Sequence, residues 1–262
     1  MGATGRLVAP GPLSANRSRA ENSPLPREGF RHAIIKSMEA FTIERSRAVE
    51  DYVRAINDLA ESDPARSVGT NSIAQKLGVT PASASGMVRK LEALGLVSLE
   101  PYRGVQLTPA GTRLAMSVTR RHRLLETFLA VRLGLPWDSV HAEAEVLEHV
   151  LSDELEEAIA RDLGDPERDP HGAPIPRADG TIVIDDSVPL ADLADGSTAV
   201  FVRIPDERPD MLRWLAERGI GPRCTIRIVE RAPFGGPVSV EIEGREHQLG
   251  SELAESMRVK LL

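Results

Sequence analysis

The sequence predicts a mainly α-helical protein with a small β domain: an N-terminal winged helix-turn-helix, a helical middle and a C-terminal β-barrel. Three observations predict it. Two short helical stretches meet at Gly78-Val79-Thr80 and lead into a hairpin pattern. Helical periodicity then dominates from Thr108 to Gly164. Beyond a stretch rich in proline and glycine, short β-like runs surround a single helical segment.

The elements follow in order. Apolar Val49, Tyr52, Val53, Ile56, Leu59 and Ala60 recur at helical spacing, so Thr42–Ser62 is expected to form an amphipathic helix closed by Asp63-Pro64. A short helix carries Ile73 and Leu77. Thr80-Pro81 opens the next as N-cap and first-turn proline, and Gly95 ends it. Its inward residues are Ala84, Val88, Leu91 and Leu94. Leu96–Leu99 and Val105–Leu107 flank a turn at Pro101-Tyr102-Arg103-Gly104, which reads as a wing with an arginine at its tip. Thr108-Pro109 starts a long helix to about Leu133, stopped by Gly134 and Pro136. One helix follows from Asp138 or Ser139 to about Leu151, and another from Ser152-Asp153 to Gly164. Pro166 to Pro189 reads as a linker. Ala199–Ile204, Thr225–Glu230, Val238–Ile242 and Met257–Leu261 read as strands around a helix near Pro209–Arg218.

At 262 residues the chain can hold two or three domains, each with its own core. We divide it as 1–41, a disordered tail; 42–111, the winged helix-turn-helix; 112–170, the helical domain; 171–190, a linker; and 191–262, the β domain. The tail lacks the apolar segment of a secretory signal, and translation starting near Met38 would account for it equally well. No apolar run is long enough to span a bilayer. The single cysteine, Cys224, excludes an internal disulfide framework and thiolate-rich metal sites, which fits a cytoplasmic protein.

Net charge is −7, yet its distribution is uneven. Between Pro81 and Leu133 the basic residues Arg89, Lys90, Arg103, Arg113, Arg120, Arg121, Arg123 and Arg132 outnumber Glu92, Glu100 and Glu126. From Asp138 to Asp169 carboxylates dominate. A basic segment followed by an acidic one suggests anion binding and then cation binding. The helix beginning at Pro81 would enter a major groove, with Thr80, Ala82, Ser83, Ser85 and Gly86 at the bases and Arg89, Lys90 and Arg103 beside phosphates. Small residues favour methyl contacts and DNA shape in such readout. The same pattern also suits a helical bundle with a hairpin and no DNA.

His141, Glu145, Glu148 and His149 lie at i, i+4, i+7 and i+8, one face of a helix. The preceding helix adds His122 and Glu126, four apart. Packed antiparallel, these helices could gather two carboxylate-rich faces around a metal; a solvated face of mixed charge is the alternative. Oxygen and nitrogen donors without sulfur favour manganese or ferrous iron over copper(I) or structural zinc. A metallohydrolase could use such a cluster, but neither the His-Glu-x-x-His nor the His-x-x-Glu-His order is present. A metal-free winged-helix regulator answering to another ligand is the stronger rival.

With these residues placed, the chain from about Val49 onward resembles the diphtheria-toxin-repressor family, in its manganese-responsive branch. The resemblance rests on Arg121-His122-Arg123-Leu124-Leu125-Glu126, on Val140–Ala144 and Glu148–Glu154, and on Ala173-Pro174-Ile175-Pro176. Ala232–Pro237 is similar to a ferrous-iron-transport A-like, Src-homology-3-like barrel. The resemblance implies a repressor that binds double-stranded operator DNA as a homodimer through its helical domain and holds two metal ions, Mn2+ or Fe2+, per subunit. A primary site would use Asp51, Glu145, Glu148 and His149, with the Glu145 carbonyl. An ancillary site would use His122, Glu126 and His141, completed by Glu207 and Asp210. Iron-responsive relatives carry a thioether where this chain has Asp51 and a thiol where it has Glu145; both differences favour manganese. Small manganese regulators carry a carboxylate where this chain has Arg54, so their paired-metal arrangement is not expected. Metal uptake genes are the implied targets.

Overall fold

The computed structural model describes residues 46–62, 67–100 and 104–262, the other residues lying outside this description. The tail and the wing-tip residue Arg103 fall among those others. α1 (Arg47–Ser62), α2 (Thr70–Lys76) and α3 (Pro81–Ala93) precede the hairpin of β1 (Val97–Glu100) and β2 (Gly104–Leu107). α4 (Pro109–Val131), α5 (Val140–Leu147) and α6 (Asp153–Leu163) follow. The C-terminal part contains β3 (Val188–Pro189), β4 (Thr198–Arg203), α7 (Pro209–Ala216), β5 (Thr225–Arg231), β6 (Val238–Ile242), β7 (Arg245–Leu249), α8 (Ser251–Ser256) and β8 (Arg258–Leu261).

Three separate apolar cores follow from the three sequence patterns. Val49, Val53 and Ile56 of α1 pack on Ile73 of α2, on Ala84, Val88 and Leu91 of α3, and on Leu96, Val97 and Val105 of the wing. Thr80 caps α3 by accepting from the Ser83 amide at 3.1 Å, and Thr108 caps α4 by accepting from Gly111. At Gly111 a Cβ would lie 2.0 Å from the Leu96 carbonyl oxygen, so only glycine lets α4 start against the wing. A second core joins Leu124 and Leu125 of α4, Ala144 of α5, Ile159 and Ala160 of α6, and Ile175.

The third core belongs to a six-stranded antiparallel sheet of order β3-β8-β4-β5-β6-β7, wrapped around Phe201, Ile226, Ile228, Val240 and, from α7, Leu212 and Leu215. This is the small β domain of the sequence pattern, with three elements the pattern did not show: β3, β7 and α8. β7 reads Arg-Glu-His-Gln-Leu with only Leu249 buried, so this edge strand has no alternation to detect. β3 and α8 span 2 and 6 residues, too short for periodicity.

Two further differences position the site. α5 ends at Leu147, one turn earlier than expected, so Glu148 and His149 project from the turn that follows it. Half of the expected linker is packed rather than exposed: Asp169, His171, Pro174, Ile175 and Pro176 are buried. Arg123 donates to the Pro174 carbonyl and Arg120 to that of Pro176, clamping the stretch to α4. The barrel is tied down by Trp137 Nε1 donating to the Leu212 carbonyl at 3.0 Å and by the Ile204 amide donating to the His171 carbonyl.

Candidate metal centre

Ligand-type side chains converge where α1, α4, α5 and the residues after β4 meet, at a cleft of about 940 Å³ lined by Asp51, Arg54, His122, His141 and Asp206 among others. α4 presents Thr119, His122 and Glu126 at i, i+3 and i+7, and all are buried. A polar stripe inside a helical core is costly unless paired. Here His122 and Glu126 pair with charged groups from other segments, while the Thr119 hydroxyl has no hydrogen-bond partner.

The first group is Asp51, Glu148 and His149. His149 Nε2 lies 2.9 Å from Asp51 Oδ1 and 3.4 Å from Glu148 Oε1. A carboxylate can only accept, so His149 Nδ1 donates to Glu50 Oε2 at 2.7 Å and its Nε2 is turned toward the other two. Glu148 Oε1 is buried with no hydrogen-bond partner. An orphaned carboxylate oxygen beside an imidazole and a second carboxylate fits a divalent cation.

The second group is His122, Glu126, His141 and Asp206. His122 Nε2 is 3.1 Å from both Glu126 Oε1 and His141 Nδ1, and Asp206 Oδ2 is 3.1 Å from His141 Nδ1. His122 Nδ1 donates to Glu148 Oε2 at 2.6 Å, which links the two groups through one imidazole. Three histidines and five carboxylates thus surround a few ångströms of space with only hard or borderline donors.

Protons occupy this arrangement when no cation does. Burial lowers the His141 pKa, but hydrogen bonds to Asp206 and Glu126 outweigh it and push it up to about 9. For His149 burial is likewise outweighed, by Asp51 and Glu50, giving about 9. His122 is raised well above its usual value against burial by Glu126, Asp206 and Glu148. Burial would raise Asp206, yet His122 and His141 hold it well below the usual carboxylate range.

The side chains singled out by sequence are not all brought together. The face of α5 splits: His141 joins the second group while Glu148 and His149 join the first. Glu145 is in neither, because Arg54 forks between Glu145 Oε1 at 2.9 Å and Glu148 Oε2 at 3.1 Å. Glu207 and Asp210 do not complete the second group; Asp206 does. Glu207 turns to Lys76 of α2 at 2.7 Å, and Asp210 pairs with Arg208. Between 206 and 210 the sequence offers three carboxylates, two in the loop after β4 and Asp210 in the first turn of α7, and spacing alone does not tell which faces inward. Glu50, also missed, sits one residue before Asp51 and is 2% exposed.

The N-cap Thr80 and Ala82, Ser83, Gly86, Arg89 and Lys90 of α3 are exposed, and Ser85 is half-buried. Arg120, Arg121 and Arg123, counted above with the basic segment, face inward: Arg120 and Arg121 pair with Glu156, and Arg123 lies 3.7 Å from Asp169. They clamp helices rather than extend the basic surface. Among the described residues no helix is long and apolar enough to cross a membrane.

A winged helix joined to a helical domain with paired imidazole and carboxylate groups defines a class, the metal-dependent DNA-binding repressors, and comparison with known proteins bears this out. Residues 45–105 match the family model for the iron-dependent repressor N-terminal DNA-binding domain, 108–177 its metal-binding and dimerisation domain, and 188–261 the FeoA domain. The iron-dependent repressor IdeR of Mycobacterium tuberculosis (strain ATCC 25618 / H37Rv) is 35% identical over 229 residues, covering 80% of this chain and 96% of that protein. The diphtheria toxin repressor of Corynebacterium diphtheriae is 33% identical over 225 residues, covering 81% and 96%. Among solved structures, a manganese-dependent transcriptional repressor in complex with manganese is 41% identical, with a TM-score of 0.74 over 81% of this chain and 99% of that one. The chain belongs to the iron-dependent repressor family, that of the diphtheria toxin repressor. The family consists of transcriptional repressors, so the metallohydrolase reading falls away.

Proposed function

We propose that this repressor is activated by manganese, acts in the cytoplasm as a homodimer, and controls metal uptake genes through a double-stranded DNA operator. The observation that carries the metal assignment is the donor set: aspartate, glutamate and histidine, with no sulfur in either group. The manganese-bound neighbour at 41% identity supports it. The sequence relatives are named as iron-dependent, so ferrous iron is the second reading.

In this reading two ions bind per subunit, one held by Asp51, Glu148 and His149 and one by His122, Glu126, His141 and Asp206. The bound ion supplies positive charge that lets these carboxylates and imidazoles share a centre without protons. Asp51 belongs to α1 and Glu148–His149 to the end of α5, so their closing on one centre fixes the reading head against the helical domain. Asp206 adds the barrel domain to the same constraint. Holding the heads selects dimers whose α3 helices stand about 34 Å apart, one DNA turn. Dimer contact is assigned to the helical domain, where Val131, Leu133, Val146, Val150 and Leu155 are exposed, Val150 at 78%.

The test is operator binding titrated separately with manganese, ferrous iron and zinc, for the natural sequence and for Asp51→Met, which puts a thioether into the first group. Manganese is expected to activate the natural chain at the lowest concentration of the first two, and the methionine to move the ranking toward iron. Equal activation by manganese and iron in both proteins would refute the assignment.

A further inference from the structure

Arg121 of α4 is a buried charge, 3% exposed, that belongs to neither proposed site. A guanidinium stays charged at any ordinary pH and carries its donors in a fixed fork, so at that depth it needs carboxylates on more than one side. α1 and α6 supply them. Nη1 lies 3.6 Å from Glu50 Oε1 of α1, while Nη2 lies 3.6 Å from Asp153 Oδ1 and Nε 3.2 Å from Glu156 Oε2, both of α6. Nη2 also donates to Ser117 Oγ, one turn back on α4.

Glu50 connects this arginine to the first group. It is 2% exposed, its Oε2 accepts from His149 Nδ1 at 2.7 Å, and its Oε1 faces Arg121. A carboxylate at that depth is costly without a cation beside it. An imidazole that ligates through Nε2 is neutral and does not supply one, so the guanidinium must. Glu50 then accepts from Nδ1 and keeps His149 Nε2 toward Asp51 and Glu148. The same guanidinium reaches the other way, to a helix that supplies no ligand atom to either group. There Glu156 is shared with Arg120, whose Nη1 donates to the Pro176 carbonyl. One side chain thus bears on both the setting of the His149 ring and the docking of α6 on α4.

We propose that Arg121 is a positioning residue for the first ion: through Glu50 it sets the His149 ring, and through Asp153 and Glu156 it couples that setting to α6. The proposal rests on the reading that Asp51, Glu148 and His149 hold an ion. Coupling is reciprocal, so an ion that fixes Glu50 also steadies α6.

The experiment is a double-mutant cycle on manganese affinity, read by chelator competition in the full-length protein, with Glu50→Gln, Arg121→Gln and the two together. Arg121→Gln is expected to lower affinity by about 10-fold or more, the usual effect of losing a supporting partner, and to lower it no further where Glu50→Gln is already present. A side chain that only held the fold would cost the same in both backgrounds, and losses that add in this way overturn the positioning role. Arg121→Lys keeps a charge at that depth without the fork; it is expected to follow the same pattern with a smaller loss, and it carries the cycle if Arg121→Gln does not fold. In a second arm, saturating manganese is expected to slow hydrogen exchange of the α6 amides in the natural chain and not in Glu50→Gln. Equal slowing in both proteins, or none in either, overturns the coupling to α6. A natural chain that takes up no manganese overturns the functional reading beneath the proposal, an outcome distinct from uptake with additive losses.

Discussion

Glu50 and Asp51, adjacent in sequence, do different work on one imidazole. Asp51 faces His149 Nε2, while Glu50 receives the Nδ1 proton and holds the ring. Removing such a supporting carboxylate typically lowers metal affinity by about 10–100-fold. Glu50→Gln should therefore weaken manganese binding by that order in a competitive chelator titration; an unchanged affinity would show that the ring is oriented by something else. The histidines also set a pH dependence. His141 and His149 hold protons up to about pH 9, so an incoming ion must displace them, and apparent affinity should rise with pH up to that point. Without metal the sign reverses. Raised histidine pKa values stabilise the fold fully below the ordinary value of about 6.5 and lose that contribution as pH climbs through 9. Chemical denaturation in chelator should show stability falling between pH 7 and 9.5, with added manganese opposing the fall. A flat profile would mean the imidazoles are neutral throughout.

At the scale of elements, α3 and α4 depend on glycine for opposite reasons. Gly86 is on the exposed face of α3 with nothing within 4 Å of an added Cβ, so Gly86→Ala should stabilise the helix by up to about 1 kcal/mol. If α3 lies in the groove with its backbone close to the bases, the same change should weaken operator binding. Denaturation and DNA titration of this variant should move in opposite directions; improved stability with unaltered affinity would place α3 away from the DNA. Gly111→Ala, by contrast, drives a methyl into the Leu96 carbonyl and should cost about 1–3 kcal/mol by denaturation. These elements were legible because capping residues and apolar spacing are local. Thr80-Pro81 and Thr108-Pro109 announce their helices, and both caps are made. The end of α5 was less legible: Glu148 and His149 continue the helical spacing, but the chain tightens into a turn after Leu147. Asp206 was not legible at all, since its direction is set by the docking of β4 on His171, a contact 33 residues away that spacing cannot reveal. Arg54 was seen as a departure from a carboxylate, yet its fork to Glu145 and Glu148 needed the packing of α1 on α5.

Across the whole molecule the ligand groups lie at junctions rather than within one domain. Asp51 comes from the winged helix, His122 and Glu126 from the long helix, His149 from beyond α5, and Asp206 from the barrel. Lys76 of α2 adds a direct link to Glu207 of the barrel, although an exposed ion pair contributes little by itself. In the proposed reading, energy released on binding a cation would be converted into fixed relative placement of domains, the quantity a two-fold operator would read. The most direct measurement is fluorescence anisotropy of labelled operator DNA with the natural protein and with His149→Ala, each titrated with manganese against a chelator control. Tight operator binding by the natural chain should require manganese, exceeding its chelator-treated affinity by at least about 1000-fold, the usual margin of specific over non-specific binding. The alanine variant should stay at the chelator level at every manganese concentration. Equal affinity of the natural chain with and without chelator, or an intact manganese response in the variant, would contradict the account.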